Sequence, residues 1–152
     1  MSLIELVMVL TLSLALLNVV VMAYLAGIRS FQYQISSSDI SYEAGRVLEQ
    51  MTKDVRQSLR VVTAESHRMS LWYNDMNLNG SLETPEVVTF YRSGSNLTRT
   101  SSQESRVLTT LASGLDFSYD NPSNPYLVTI DLSLASGASA GSFEAKVRLM
   151  NR

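Results

Sequence analysis

The opening residues, MSLIELVMVL, place one carboxylate, Glu5, near the start of an otherwise apolar run that continues from Leu3 to Ile28. A lone acid is expensive in hydrocarbon and is rarely left there without a partner. No Lys, Arg or His precedes Arg29, so the nearest cation is the amine of Met1 or that of a neighbouring copy. The chemistry open to such a group is an ion pair between chains. It suits a protein that packs its apolar helix against copies of itself.

A second set of oxygen-bearing side chains lies further on. Asp75, Asn77, Asn79, Gly80 and Glu86 match the calcium-loop spacing D-x-[DN]-x-[DN]-G-x5-E at every specified position. Alternate oxygen ligands, a glycine for the sharp turn and a late bidentate carboxylate suit the coordination of Ca²⁺. The expected ligands are the side chains of Asp75, Asn77, Asn79 and Glu86 and the backbone carbonyl of Ser81. The flanks, Leu71 to Tyr73 and Val87 to Tyr91, read as strands and not as EF-hand helices, and the same residues also read as an Asn-Gly hairpin. His67 is the single histidine, set in a polar turn, and cysteine is absent, so thiol, zinc-thiolate and triad chemistry have no residues to use. Asp116, Asp120 and Asp131 fall among strands with no basic partner in the pattern. With no nucleophile–base pair and no phosphate loop, the chain reads as a non-enzyme. Asn96-Leu-Thr98 and Asn79-Gly-Ser81 match the N-glycosylation sequon, a frequent chance match.

These residues need elements to hold them. The chain has 152 residues and a net charge of -2 with no basic cluster, which argues against a nucleic-acid partner. An apolar first fifth precedes a polar, Ser/Thr/Asn-rich remainder, dividing the chain into a membrane or filament-core helix over 1–28 and a soluble domain over 29–152. At about 1.5 Å per residue the apolar run covers roughly 39 Å, enough to span a bilayer. No basic flank precedes it and no cleavage-like site follows it, unlike a secretory signal peptide. A basic leader removed upstream, leaving Met1 as the first mature residue, is the expectation.

Beyond Arg29, Ile40, Ala44, Val47, Met51 and Val55 recur at helical spacing, and no proline occurs before Pro85. One helix from near Ser2 to about Ser58 is expected, greasy all round in its first half and with one apolar stripe in its second. Gly45 is its weak point. Strands are expected at Val61 to Ala64, Arg68 to Tyr73, Glu86 to Arg92, Arg106 to Leu111, Leu115 to Tyr119, Tyr126 to Leu134 and Phe143 to Met150. Turn signals at Asn79-Gly80, Ser93-Gly94, Ser113-Gly114, Asn121-Pro122 and Gly137 to Gly141 separate them. Ala135 to Ser142 reads as a flexible hairpin tip, and Trp72, Tyr73, Phe90 and Tyr91 as aromatics packing on the helix. An α+β fold follows, with one antiparallel sheet laid over an amphipathic helix.

The block SLIELVMVL resembles the start of a mature type IV pilin or pseudopilin, whose acid at the fifth mature position would here be Glu5. The segments RVLEQMTKDVRQSLR, VVTFYRSGSNLTRT and VRLMNR are similar to PilW-like minor pilins and to the J-type minor pseudopilins of type II secretion. The usual first residue, Phe, is Met1 here, and a proline common in the family is replaced by Met22. The resemblance implies cleavage by a prepilin peptidase, methylation of the Met1 amine, and a wait in the inner membrane. Assembly with copies of itself and other pilins follows, driven by the inner-membrane machinery, with Glu5 pairing the N-terminal amine of a neighbour. The product is an extracellular filament or a periplasmic pseudopilus. A minor pseudopilin of a type II secretion system, or a membrane-anchored calcium-binding extracytoplasmic domain, are the alternatives.

Overall fold

A computed structural model describes residues 2–73, 75, 78–137 and 139–150. The chain divides into two compact units, Met1–Ser36 and Ser37–Arg152. One helix, α1 (Leu3–Gln57), contributes to both and has no interruption in its hydrogen-bonded course. That matches the expectation from a stretch with no proline and with glycine only at Gly27 and Gly45.

In the first unit the side chains of α1 are exposed all round, including Leu3, Ile4, Leu14 and Met22. The helix is long and apolar enough to cross a membrane, and none of its apolar window is buried within the protein. Two polar residues in the run, Thr11 and Asn18, are satisfied by the helix itself. Thr11 Oγ1 donates to Met8 O at 2.9 Å and Asn18 Nδ2 donates to Leu14 O at 3.1 Å. In lipid, where no water competes, such internal bonds let polar side chains stay without breaking the helix.

In the second unit, the apolar stripe of α1 meets two antiparallel sheets. The first contains β1 (Arg60–Ala64), β2 (Arg68–Trp72), β3 (Val87–Ser93), β4 (Asn96–Thr100) and β5 (Ser105–Thr109), paired in chain order. The second contains β6 (Ala112–Tyr119), β7 (Leu127–Ser136) and β8 (Ser139–Arg148), also in chain order. A 3-10 turn, Thr84–Glu86, leads into β3. Ile40, Ala44, Val47, Met51 and Val55 of α1 are buried against Met69, Leu71, Phe90 and Leu97 from one sheet and Leu115, Ile130, Leu132 and Val147 from the other. On β7 the alternation is complete: Val128, Ile130, Leu132 and Leu134 are buried while Thr129, Asp131 and Ser133 are half-exposed. Truncating a fully buried side chain such as Met51 to alanine is expected to cost about 2–5 kcal/mol.

The single expected sheet is therefore two. The strand β4 has one large buried apolar residue, Leu97, in a polar segment, so its pattern is weak. Ser113-Gly114, taken as a turn, lies inside β6 at a register shift opposite Ser133. A side-chain carbon at Gly114 would come within 3.2 Å of Ser133 Cβ, so the glycine serves close strand approach and not a reversal. Ala135 to Ser142 is likewise corrected. Ala135 pairs with Ala140 and Ser136 with Ser139, leaving a tight turn around Gly137. Backbone bonds stitch the sheets together, from Ala112 N to Ser95 O at 2.9 Å and from Phe117 N to Ser66 O at 2.7 Å. Of the expected aromatics, Phe90 joins the core around α1 and Tyr73 packs against it. Trp72 turns to the other face of its strand, where the Arg60 guanidinium lies 5.0 Å from its ring.

Candidate functional site

Glu5 sits in the first turn of α1. Its Oε2 accepts the backbone N–H of Ser2 at 2.8 Å, and Glu5 N–H points back to Ser2 Oγ at 3.4 Å. This reciprocal pair is a capping box, which satisfies donors that a helix N-terminus otherwise leaves unmade. Ser2 of the same chain is thus a hydrogen-bond partner for Glu5, beside any amine that pairs with it. The signal was present as S-x-x-E ahead of an apolar run. One N–H bond does not offset the cost, about a few kcal/mol, of holding the Glu5 charge in hydrocarbon. A cation arriving at the carboxylate still gains. Met1 lies outside the described residues.

The expected calcium ligands fall on the segment before β3. Asp75 Oδ1 accepts Asn79 N–H at 3.2 Å and Asp75 Oδ2 accepts Gly80 N–H at 2.8 Å. Ser81 N–H donates to Asn79 Oδ1 at 2.7 Å, and Asn79 Nδ2 donates to Glu83 Oε1 at 2.9 Å. Leu78 and Gly80 take positive φ values of 56° and 69°, which curl the backbone around the Asp75 carboxylate. Glu86 lies in the 3-10 turn Thr84–Glu86 that follows. It is 2 % exposed, and its Oε2 accepts Trp72 Nε1–H at 3.0 Å and Glu83 N–H at 3.2 Å. Asn77 lies outside the described residues. Oxygen donors of this kind fit the chemistry of Ca²⁺.

Two further groupings escaped the sequence. Asp54 on α1 is buried, and its Oδ2 accepts Arg99 Nε–H from β4 at 2.6 Å while Oδ1 accepts Gln50 Nε2–H at 3.1 Å. Arg99 also stacks on Tyr73, 5.9 Å from the ring centroid, and Tyr73 OH donates to Gln57 Oε1 at 2.6 Å. No spacing signals a pair that joins a helix to a strand so far along the chain. His67 is exposed, as expected, yet the β1–β2 turn brings its Nδ1 within 3.0 Å of Asp116 Oδ1. Asp120 holds its turn by accepting Tyr126 and Leu127 N–H at 2.9 and 3.0 Å. Those bonds, Leu127 first, keep its carboxyl below the usual range. Among the described residues no three His, Asp or Glu side chains converge as a metal cluster.

Comparison with known protein families, with curated proteins and with solved structures finds no match to this chain.

Proposed function

We propose that this chain is a structural, non-enzymatic subunit of a type IV pilus or pilus-like surface filament, held in the inner membrane before it assembles. One observation carries the reading: a helix of apolar side chains, exposed all round, with a single carboxylate in its first turn. In lipid that carboxylate has Ser2 as its partner. In a filament it gains the N-terminal ammonium of a neighbouring copy, and the apolar side chains exchange lipid for one another. The pair sets axial register, because a misplaced copy would leave both charges buried and unpaired. The sheet-bearing unit faces water and presents the filament surface.

Glu5→Ala in the full chain tests this reading. Filaments at the cell surface should be lost, while the sheet unit keeps its fold by circular dichroism of the detergent-solubilised protein. Glu5→Gln separates charge from the cap, since it keeps the oxygen that accepts Ser2 N–H but loses the ion pair, and it too should fail to assemble. Wild-type filament yield from either variant would sink the pairing.

A further inference from the structure

We infer that the free edge of β8 pairs with the same edge of a second copy of this chain, antiparallel and about a two-fold axis at Ala145. A sheet edge carries unpaired backbone groups that invite another strand, so proteins blunt their edges. The other edges here are blunted. β1 and β5 are five residues long, and each meets its neighbour with a register shift. The outer edge of β6 is bonded through Phe117 N–H to Ser66 O and through Ala112 N–H to Ser95 O. β8 has none of these devices. It runs ten residues, Ser139–Arg148, in unbroken register with β7. It contains no proline, and its core-facing side holds Gly141, Phe143, Ala145 and Val147, with no charge among them. Among the described residues, β7 is the one strand that pairs with it.

The direction of the unpaired groups follows from the register. Leu149 N–H donates to Tyr126 O on the β7 side. Backbone groups in an antiparallel pair alternate between the neighbouring strand and the far side. The odd-numbered residues of β8 therefore face β7, and the N–H and C=O groups of Ala140, Ser142, Glu144, Lys146 and Arg148 face outwards. Charge then selects the occupant. Glu144 stands directly opposite Asp131 of β7, a like-charge pair. Lys146 is exposed beside it, its Nζ 2.8 Å from Glu144 Oε1. With the axis at Ala145, Glu144 of each copy meets Lys146 of the other, and Arg148 meets Ser142. Moving the axis to residue 144 sets Glu144 against Glu144, and moving it to residue 146 sets Lys146 against Lys146. The strand is thus its own complement in one register. The same pairing lays Phe143 beside Val147 of the second copy and covers Phe143 and Ala145, both half-buried in the single chain.

The chain has no cysteine, so a disulfide in a single-cysteine variant must join two chains. The test uses the full chain in detergent, with micelles in excess over protein. Ala145→Cys sets two sulfurs across a non-hydrogen-bonded pair, with Cα atoms about 4.5 Å apart and within disulfide range. The exposed pair Ser142→Cys, Arg148→Cys probes the same register at a second place. Ala140→Cys is also exposed, yet its two copies would lie ten residues, roughly 33 Å, apart. Mild oxidation should link Ala145→Cys into dimers at least about tenfold faster than Ala140→Cys. Glu144 and Lys146 are exposed, so reversing their charges should leave the melting temperature unchanged. Adding Glu144→Lys to Ala145→Cys should slow linking about tenfold, and adding Lys146→Glu as well should restore it. Linking should persist in the Glu5→Ala chain, so loss of filaments and loss of edge pairing are read separately. Equal linking of Ala145→Cys and Ala140→Cys would overturn the proposal. So would no dimer from either register variant, no effect of Glu144→Lys, or no recovery on exchanging the two charges.

Discussion

Asp54 is 1 % exposed and Arg99 is 18 % exposed at the side chain, so their pair is screened far less than a surface bridge. Removing one partner strands the other charge, a loss of about 3 kcal/mol or more. Asp54→Ala should therefore lower the melting temperature of the sheet unit by roughly 10 °C. The double variant Asp54→Leu, Arg99→Met should recover most of that, because no buried charge is left over. A double variant as unstable as the single one would show that the pair itself, and not an orphaned guanidinium, carries the effect. Calcium is the second test at this scale. Metal that binds only the native state stabilises it by mass action. The expected outcome is a modest rise in melting temperature in millimolar calcium, reversed by chelator and absent in Asp75→Ala. Identical melting with and without chelator would reduce Asp75 to Glu86 to a self-capped turn.

At the scale of elements, α1 was the most legible feature. Its residues agree at every level: helical spacing of Ile40, Ala44, Val47, Met51 and Val55, no proline, and a polar face opposite. The one local disagreement is Gly45, exposed and with nothing within 4 Å of where a side-chain carbon would sit. Gly45→Ala should therefore stabilise the domain by about 0.5–1 kcal/mol, seen as a rise of a few degrees in melting temperature. The same substitution at Gly114 lacks that gain, since the new carbon would come within 3.2 Å of Ser133 Cβ and the neighbouring strand would have to shift. The contrast explains what could not be read. Glycine in a strand and glycine in a turn look alike in sequence, and only the neighbouring strand tells them apart. The strand β4 was missed because Leu97 alone marks its buried face. With β4 unread, Arg99 had no place, and its pairing with Asp54 was invisible. Ser2 and Glu5 show the opposite case: a local motif three residues apart, fully legible as S-x-x-E.

At the scale of the whole molecule, the acid limit comes from two carboxylates, one half-buried and one exposed. Glu43, hydrogen-bonded to Arg46, and Asp120, held by the N–H groups of Leu127 and Tyr126, both titrate below their ordinary values. A group whose folded pKa is depressed stabilises the fold above its unfolded value, about 4 for a carboxyl, and that contribution is lost as pH falls through the folded value. Stability should be flat near neutrality and decline below about pH 4. Asp120→Asn should make the decline shallower, and an unchanged acid limb would remove Asp120 from the account.

The two units are also separable on energetic grounds. Every buried residue of the core cluster lies at or after Ile40, so the first 28 residues supply none of the burial that stabilises the sheets. What those residues do supply is apolar surface that water will not tolerate. Deleting residues 1–28 should give a water-soluble protein that melts within a few degrees of the full chain in micelles. It should unfold cooperatively, with the same strand content by circular dichroism. It should also be unable to enter filaments, because both the apolar surface and Glu5 are gone. Loss of cooperative unfolding on truncation would mean that the first unit stabilises the second through contacts the core does not contain. Assembly of the truncated chain into filaments would place the polymer interface on the sheet unit and displace the helix from its proposed role.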